Sequence, residues 1–115
     1  MGLLAQDFTT WKGNYRQILF YISDVSTVTG GTAKWAMSAN VSGSTLILKT
    51  SETNSGITLS GKYVTVVLNP ADTNDASGIA AGSYYHELRL EDVAGQPTTP
   101  AIGTVTLKDV LIKSW

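Results

Sequence analysis

The chain has no cysteine, which excludes disulfides, thiolate metal sites and a cysteine nucleophile and leaves the redox compartment open. It has a single histidine, His86, so any Ser-His-Asp arrangement has one candidate base. Charge is scarce: 15% of the 115 residues are charged, and eight Lys plus Arg stand against nine Asp plus Glu, a formal net charge of −1. No global field then draws the chain to nucleic acid or to an anionic membrane. Met1 to Asp7 carries no basic flank and no sustained apolar run, so neither a signal peptide nor a transit peptide is expected. No apolar stretch approaches the ~20 residues of a membrane helix, which argues against membrane insertion. The expectation is a protein made in the cytoplasm and used as a soluble part. Helix signals are nearly missing, and the one stretch that suits a helical turn, Pro70 to Asp75, reads as a corner or a short 3₁₀ turn.

What is present is Thr, Ser and Gly in quantity, a composition that suits short strands joined by polar turns. The organising stretch runs from Tyr63 to Asp92. Because strand side chains alternate, Val64, Val66 and Leu68 share one face of a first strand, and Tyr84, His86, Leu88 and Leu90 share one face of a second. Between them Pro70 withholds a ladder donor, and Asp72 and Thr73 can bond nearby backbone groups, so the chain turns. Gly82 followed by Tyr84 resembles the tyrosine corner of immunoglobulin-like sandwiches.

In chain order, Leu3 to Thr10 predicts a short leading strand, ending near Trp11 to Asn14. Tyr15 to Ser23 predicts the next, with Ile18, Phe20 and Ile22 on one face. Leu19 and Tyr21 stand opposite, where a solvated sheet is polar. Either something covers them or they are ordinary exposed apolar side chains. Thr32 to Ala39 follows the Gly30-Gly31 turn with Ala33, Trp35 and Met37 alternating, and Trp35 falls where a sandwich buries a large aromatic, worth ~200 Å² of buried surface. Thr45 to Thr50 is expected to point Leu46 and Leu48 inward. Ile57 and Leu59 mark a brief strand, Val93 to Pro100 an exposed hairpin loop, and Ile102 to about Leu111 a last strand with Val105 and Leu107 inward. Seven or eight strands at spacings near ~10 residues predict an all-β, antiparallel immunoglobulin-like sandwich in one domain over 1–115. A domain of this length buries roughly two thirds of its unfolded surface.

Few residues could carry chemistry. Strand parity points His86 inward beside Leu88, the setting of a hydrogen-bonded core residue more than of a catalyst, and no enzyme activity is expected. Asp72-Thr73-Asn74-Asp75 reads as turn-forming and not as calcium ligands, so no metal and no cofactor are expected. Gly30-Gly31-Thr32 lacks the Lys of a phosphate loop and opens no helix. Trp11, Tyr15, Tyr21, Tyr63, Tyr85 and Trp115 are aromatics able to stack on sugars, but they are scattered over several strands.

Three pieces in order, Asp7-Phe8-Thr9 with Gly13-Asn14, then Leu68 to Thr73, then Gly82 to Leu88, resemble the small immunoglobulin-like domain of tailed-phage virion proteins, as in the N-terminal domain of baseplate upper proteins. The similarity covers about Asp7 to Leu107. Pro-Ala-Asp-Thr paired with Gly-x-Tyr-Tyr is its most distinctive part. Gly13-Asn14 departs mildly from the family's Gly-Asp. The family continues into coiled-coil or receptor-binding parts that are not found here. The resemblance implies a non-enzymatic virion structural protein: a tail or baseplate accessory or adaptor docking on other virion proteins, located in the virion, or else a capsid decoration protein. A carbohydrate-binding module for host-surface glycans is the alternative from another class. Candidate docking residues are Leu19 and Tyr21 with the terminal run Val110, Leu111, Ile112 and Trp115. Interaction arms are expected at 1–6 and 108–115, and a homo-oligomer is the expected state. Trp35, Asp72, Gly82 and Tyr84 are assigned structural roles.

Overall fold

A computed structural model describes residues 4–23, 25, 27–52 and 55–112. Its first two strands, β1 (Leu4–Ala5) and β2 (Phe8–Trp11), are one leading strand interrupted at Gln6 and Asp7. There follow β3 (Arg16–Tyr21), β4 (Thr32–Ser38), β5 (Thr45–Thr50), β6 (Ile57–Ser60) and β7 (Tyr63–Leu68). A helical turn, α1 (Pro70–Thr73), and a 3₁₀ turn (Asp75–Ser77) then lead to β8 (Gly82–Glu91) and β9 (Pro97–Lys108).

The strands form two sheets. In the larger, β9, β8, β4 and β5 lie in that order, with β1 and β2 both pairing the outer side of β9 in parallel. The smaller is β3-β7-β6, antiparallel throughout. Both present alternating apolar residues to a shared core: Ile18, Phe20, Val64, Val66 and Leu68 from the small sheet, and Ala33, Trp35, Met37, Leu88, Val105 and Leu107 from the large one. Burying side chains of this kind supplies about 1.5–3 kcal/mol each before conformational entropy is counted, which is why the period-2 pattern sets the fold.

Two expectations are corrected. Leu46 and Leu48 point outward, 45% and 56% exposed, while Ile47 and Lys49 point in. The register explains it: Ile47 lies opposite Met37 and Lys49 opposite Trp35, and directly opposed residues share a face. The inward ammonium is tolerated because Asp72 of α1 meets it at 2.7 Å. The second correction concerns β9, which begins at Pro97 and ends at Lys108, so the loop before it is a short turn over 92–96. Pro97 is the first strand residue. Pro100 sits where the register with β8 slips by one residue, between Leu88 and Leu90. Strand starts and bulges are the places where a sheet accepts proline.

The corner after β7 is tied on three sides. Asp72 Oδ2 accepts the Asn69 N–H at 2.7 Å as well as the Lys49 ammonium. Buried Thr73 accepts the Gly13 N–H at 2.9 Å, and Lys12 reaches Asp75 at 3.0 Å. The Tyr84 hydroxyl donates to the carbonyl of Ala80, closing the turn into β8.

Candidate interaction surface

His86 is fully buried and cannot serve as an open catalytic base. The Trp35 indole N–H donates to its Nδ1 at 3.0 Å, which leaves Nε2 to carry the proton and donate to the Gln6 carbonyl at 2.6 Å. Phe8, Phe20 and Trp35 pack their rings around it, with centroids 5.2, 6.3 and 5.8 Å away. Burial holds its pKa below the ordinary value, against the opposing Gln6 hydrogen bond and the Asp7 charge. Immunoglobulin-like domains place the second cysteine of the inter-sheet disulfide two residues after the corner tyrosine. Here His86 occupies that place, and the Trp35–His86–Gln6 chain of hydrogen bonds ties β4, β8 and the leading strand together.

Gln6 and Asp7 belong to the same arrangement. The Gln6 N–H donates to Ile102 at 2.8 Å, and Asp7 Oδ1 accepts the Thr104 N–H at 2.8 Å. Gly103 lies directly beneath, where a Cβ would come within 2.2 Å of the Gln6 carbonyl oxygen. Any side chain there would push the leading strand off the sheet. The sequence carried no signal for this knot except the isolated glycine in an apolar strand, which marks close backbone approach.

With the histidine inside, the exposed apolar side chains are what can meet a partner. Leu19 and Tyr21 lie on the outer face of β3, 55% and 48% exposed. Tyr63, 46% exposed, stands directly opposite Tyr21 on β7, and the two rings are 5.2 Å apart. Gln17 and Thr65 flank this patch on the same face. No charged side chain of β3 or β7 points outward with it, so nothing on these strands must be desolvated as an ion on docking. Sequence parity had found Leu19 and Tyr21; Tyr63 joined them only through the β3–β7 register.

The other interaction candidates are spread out. Val110 is half-buried and lines, with Ile112, a shallow cleft formed by Lys12, Asn14, Pro70 and Asn74. Leu111 is 97% and Ile112 60% exposed. Trp115 and residues 1–3 of the expected N-terminal arm lie outside the described residues. Trp35, Asp72 and Tyr84 make the contacts given above, and Gly82 opens β8 opposite Leu107. Of the sugar-stacking candidates, Trp11 lies under the Lys108 ammonium, and the Tyr15 hydroxyl accepts a bond from Gln17. The Tyr85 hydroxyl is held above its ordinary pKa by burial and then by Glu87. Among the described residues, no ring pair joins these three. No group of three or more His, Asp or Glu among the described residues could hold a metal ion.

The two sheets, the parallel leading strand and the tyrosine corner define an immunoglobulin-like β-sandwich. The chain is similar in fold to the extracellular domains of the voltage-gated sodium channel β4 subunit, a structure described as forming parallel homodimers that explain a role in cell–cell adhesion. That similarity has a TM-score of 0.51 over 93% of each chain at 15% identity, which shows the fold alone. No protein-family model and no curated protein matches the chain.

Proposed function

We propose that this is a non-catalytic docking domain that binds protein surfaces, and that its setting is the particle of a tailed phage, as an accessory or adaptor of the tail. The observation that carries the docking role is the uncharged patch of Leu19, Tyr21 and Tyr63 on the outer face of the small sheet. Aromatic side chains of this kind give large contact area at low entropic cost. The one histidine is committed to the core, which supports a non-enzymatic reading. The particle setting rests on the Pro-Ala-Asp-Thr and Gly-x-Tyr-Tyr resemblance.

The test is mass spectrometry of purified particles grown from the genome that encodes the chain. Wild-type protein should be present in defined copy number, and a Leu19→Ser/Tyr21→Ser variant depleted at least tenfold. A protein that is made but absent from the particles would overturn the particle setting. The paired Tyr21 and Tyr63 rings favour glycan stacking as a second reading. Titration with mono- and oligosaccharides at millimolar concentration, read by isothermal titration calorimetry, decides it; no heat of binding across the series removes it.

A further inference from the structure

Two loops meet at one end of the sandwich, and they touch where the first has no side chains. Gly30 and Gly31 close the loop before β4. A Cβ on Gly31 would lie 2.5 Å from the Glu91 carbonyl oxygen, and one on Gly30 would lie 3.1 Å from Cγ1 of Val93. The glycine pair therefore does more than turn the chain: it lets the turn after β8 fold over it.

Between them the loops enclose a cleft of about 390 Å³, near the lower end of the roughly 300–1,000 Å³ that ligand sites span. Val28 and Leu90 are buried at its floor, and Val93 and Ala94 are exposed at its mouth. Both walls are fixed from within the chain. The Gly61 carbonyl accepts the Val28 N–H at 2.6 Å and the Thr27 hydroxyl at 3.0 Å, while Asp92 Oδ1 accepts the N–H groups of Ala94 and Gln96, each at 2.9 Å. A ligand meets a formed site and does not have to order it.

The rim carries one sign of charge. Glu91 and Asp92 line the cleft side by side; among the described residues, no Lys or Arg lines it and neither carboxylate forms an ion pair. Lys34 and Arg89 share a smaller hollow with Glu91 on the outer face of the large sheet, but both stop short of ion-pair distance. The turn that Asp92 caps fixes where its own charge sits. An apolar floor beside two carboxylates is complementary to a branched apolar side chain next to a cation. We infer that this cleft binds a short segment of a partner protein in which Leu, Ile or Val adjoins Arg or Lys. The apolar side chain reaches Val28 and Leu90, and the cation meets Glu91 and Asp92. The cleft shares no residue with the Leu19, Tyr21 and Tyr63 face, so it is a second partner-binding surface that stands whether or not that face docks on a particle.

The test titrates the isotope-labelled full chain with N-acetyl-Leu-Arg-amide to millimolar concentration and follows backbone amide shifts by NMR. The amides of Val28, Leu90, Val93 and Ala94 should move together and saturate, and those of Leu19 and Tyr21 should stay in place. N-acetyl-Leu-Glu-amide and N-acetyl-Gly-Arg-amide should each bind at least tenfold more weakly. Glu91→Gln/Asp92→Asn removes both charges yet keeps an oxygen for the Ala94 and Gln96 N–H groups, so the fold persists and affinity should fall about fivefold, the scale of two exposed ion pairs. No saturable shift with the Leu-Arg probe, equal binding of the Leu-Glu probe, shifts centred on Tyr21, or an unchanged affinity in the double variant would each overturn the assignment. Particle incorporation reads the other face, because Leu19→Ser/Tyr21→Ser leaves every residue of the cleft as it is.

Discussion

The large and small sheets solve opposite problems. The large sheet is locked from within: Trp35, His86 and Gln6 form a chain of hydrogen bonds across β4, β8 and the leading strand, with His86 at the place of one half of the inter-sheet disulfide of antibody domains. The small sheet contributes Ile18, Phe20, Val64, Val66 and Leu68 to the same core, yet its outer face keeps Leu19, Tyr21 and Tyr63 in water. Buried polar locking and exposed apolar surface are thus assigned to different layers. A buried polar relay is costly to disturb because each orphaned group loses its partner in a low-dielectric interior. A surface aromatic is nearly free to change.

That contrast can be broken most forcefully at Trp35. Replacing Trp35 by Ala removes the largest fully buried side chain and orphans His86 Nδ1, and should cost about 4 kcal/mol in denaturant unfolding. Next comes the corner. Asp72→Ala strands the ammonium of Lys49, a residue only 9% exposed, and should cost about 3 kcal/mol, whereas the double variant Lys49→Met/Asp72→Ala should recover much of that loss.

Acid tests the relay without mutation. Because the folded pKa of His86 lies below its ordinary value, the unfolded chain binds the extra proton first. The stability contributed by neutral His86 is complete above about pH 6.5 and is lost as pH falls through the folded value. Thermal midpoints between pH 7.5 and 5 should therefore decline in the wild type, and more shallowly in a folded His86→Gln variant. Equal slopes would show that carboxylates alone govern the acid limb. Tyr84→Phe removes one hydrogen bond to Ala80 and should cost about 1 kcal/mol by the same unfolding assay. Tyr21→Ser should fall within about 0.5 kcal/mol of wild type while weakening docking, which sharpens the contrast from its mild side.

The alternation of Ile18-Phe20-Ile22, Val64-Val66-Leu68 and Val105-Leu107 was legible because one set of apolar residues per strand leaves a single phase to bury. Thr45 to Thr50 was not, since Leu46 and Leu48 compete with Ile47 for the inner face. The choice falls to Lys49, whose inward position makes sense only once Asp72 is seen 2.7 Å away from a corner twenty-three residues on. Likewise the extent of β9 was hidden by Pro97, which is accepted as its first residue, and by Pro100, whose place depends on a bulge against β8.

By itself, then, the sequence determined an all-β sandwich, the inner faces of most strands, the corner at Pro70 and the tyrosine that closes it, because each depends on local parity or local backbone chemistry. It also determined that Leu19 and Tyr21 would stand outside. Tertiary structure alone decided that His86 would be tied to both Trp35 and Gln6, that Gly103 must yield to Gln6, that Tyr63 would meet Tyr21, and that β3 would lie at a sheet edge. Those outcomes depend on which distant strands pair and in what register, information carried by the summed packing of the two sheets and by no single stretch of chain.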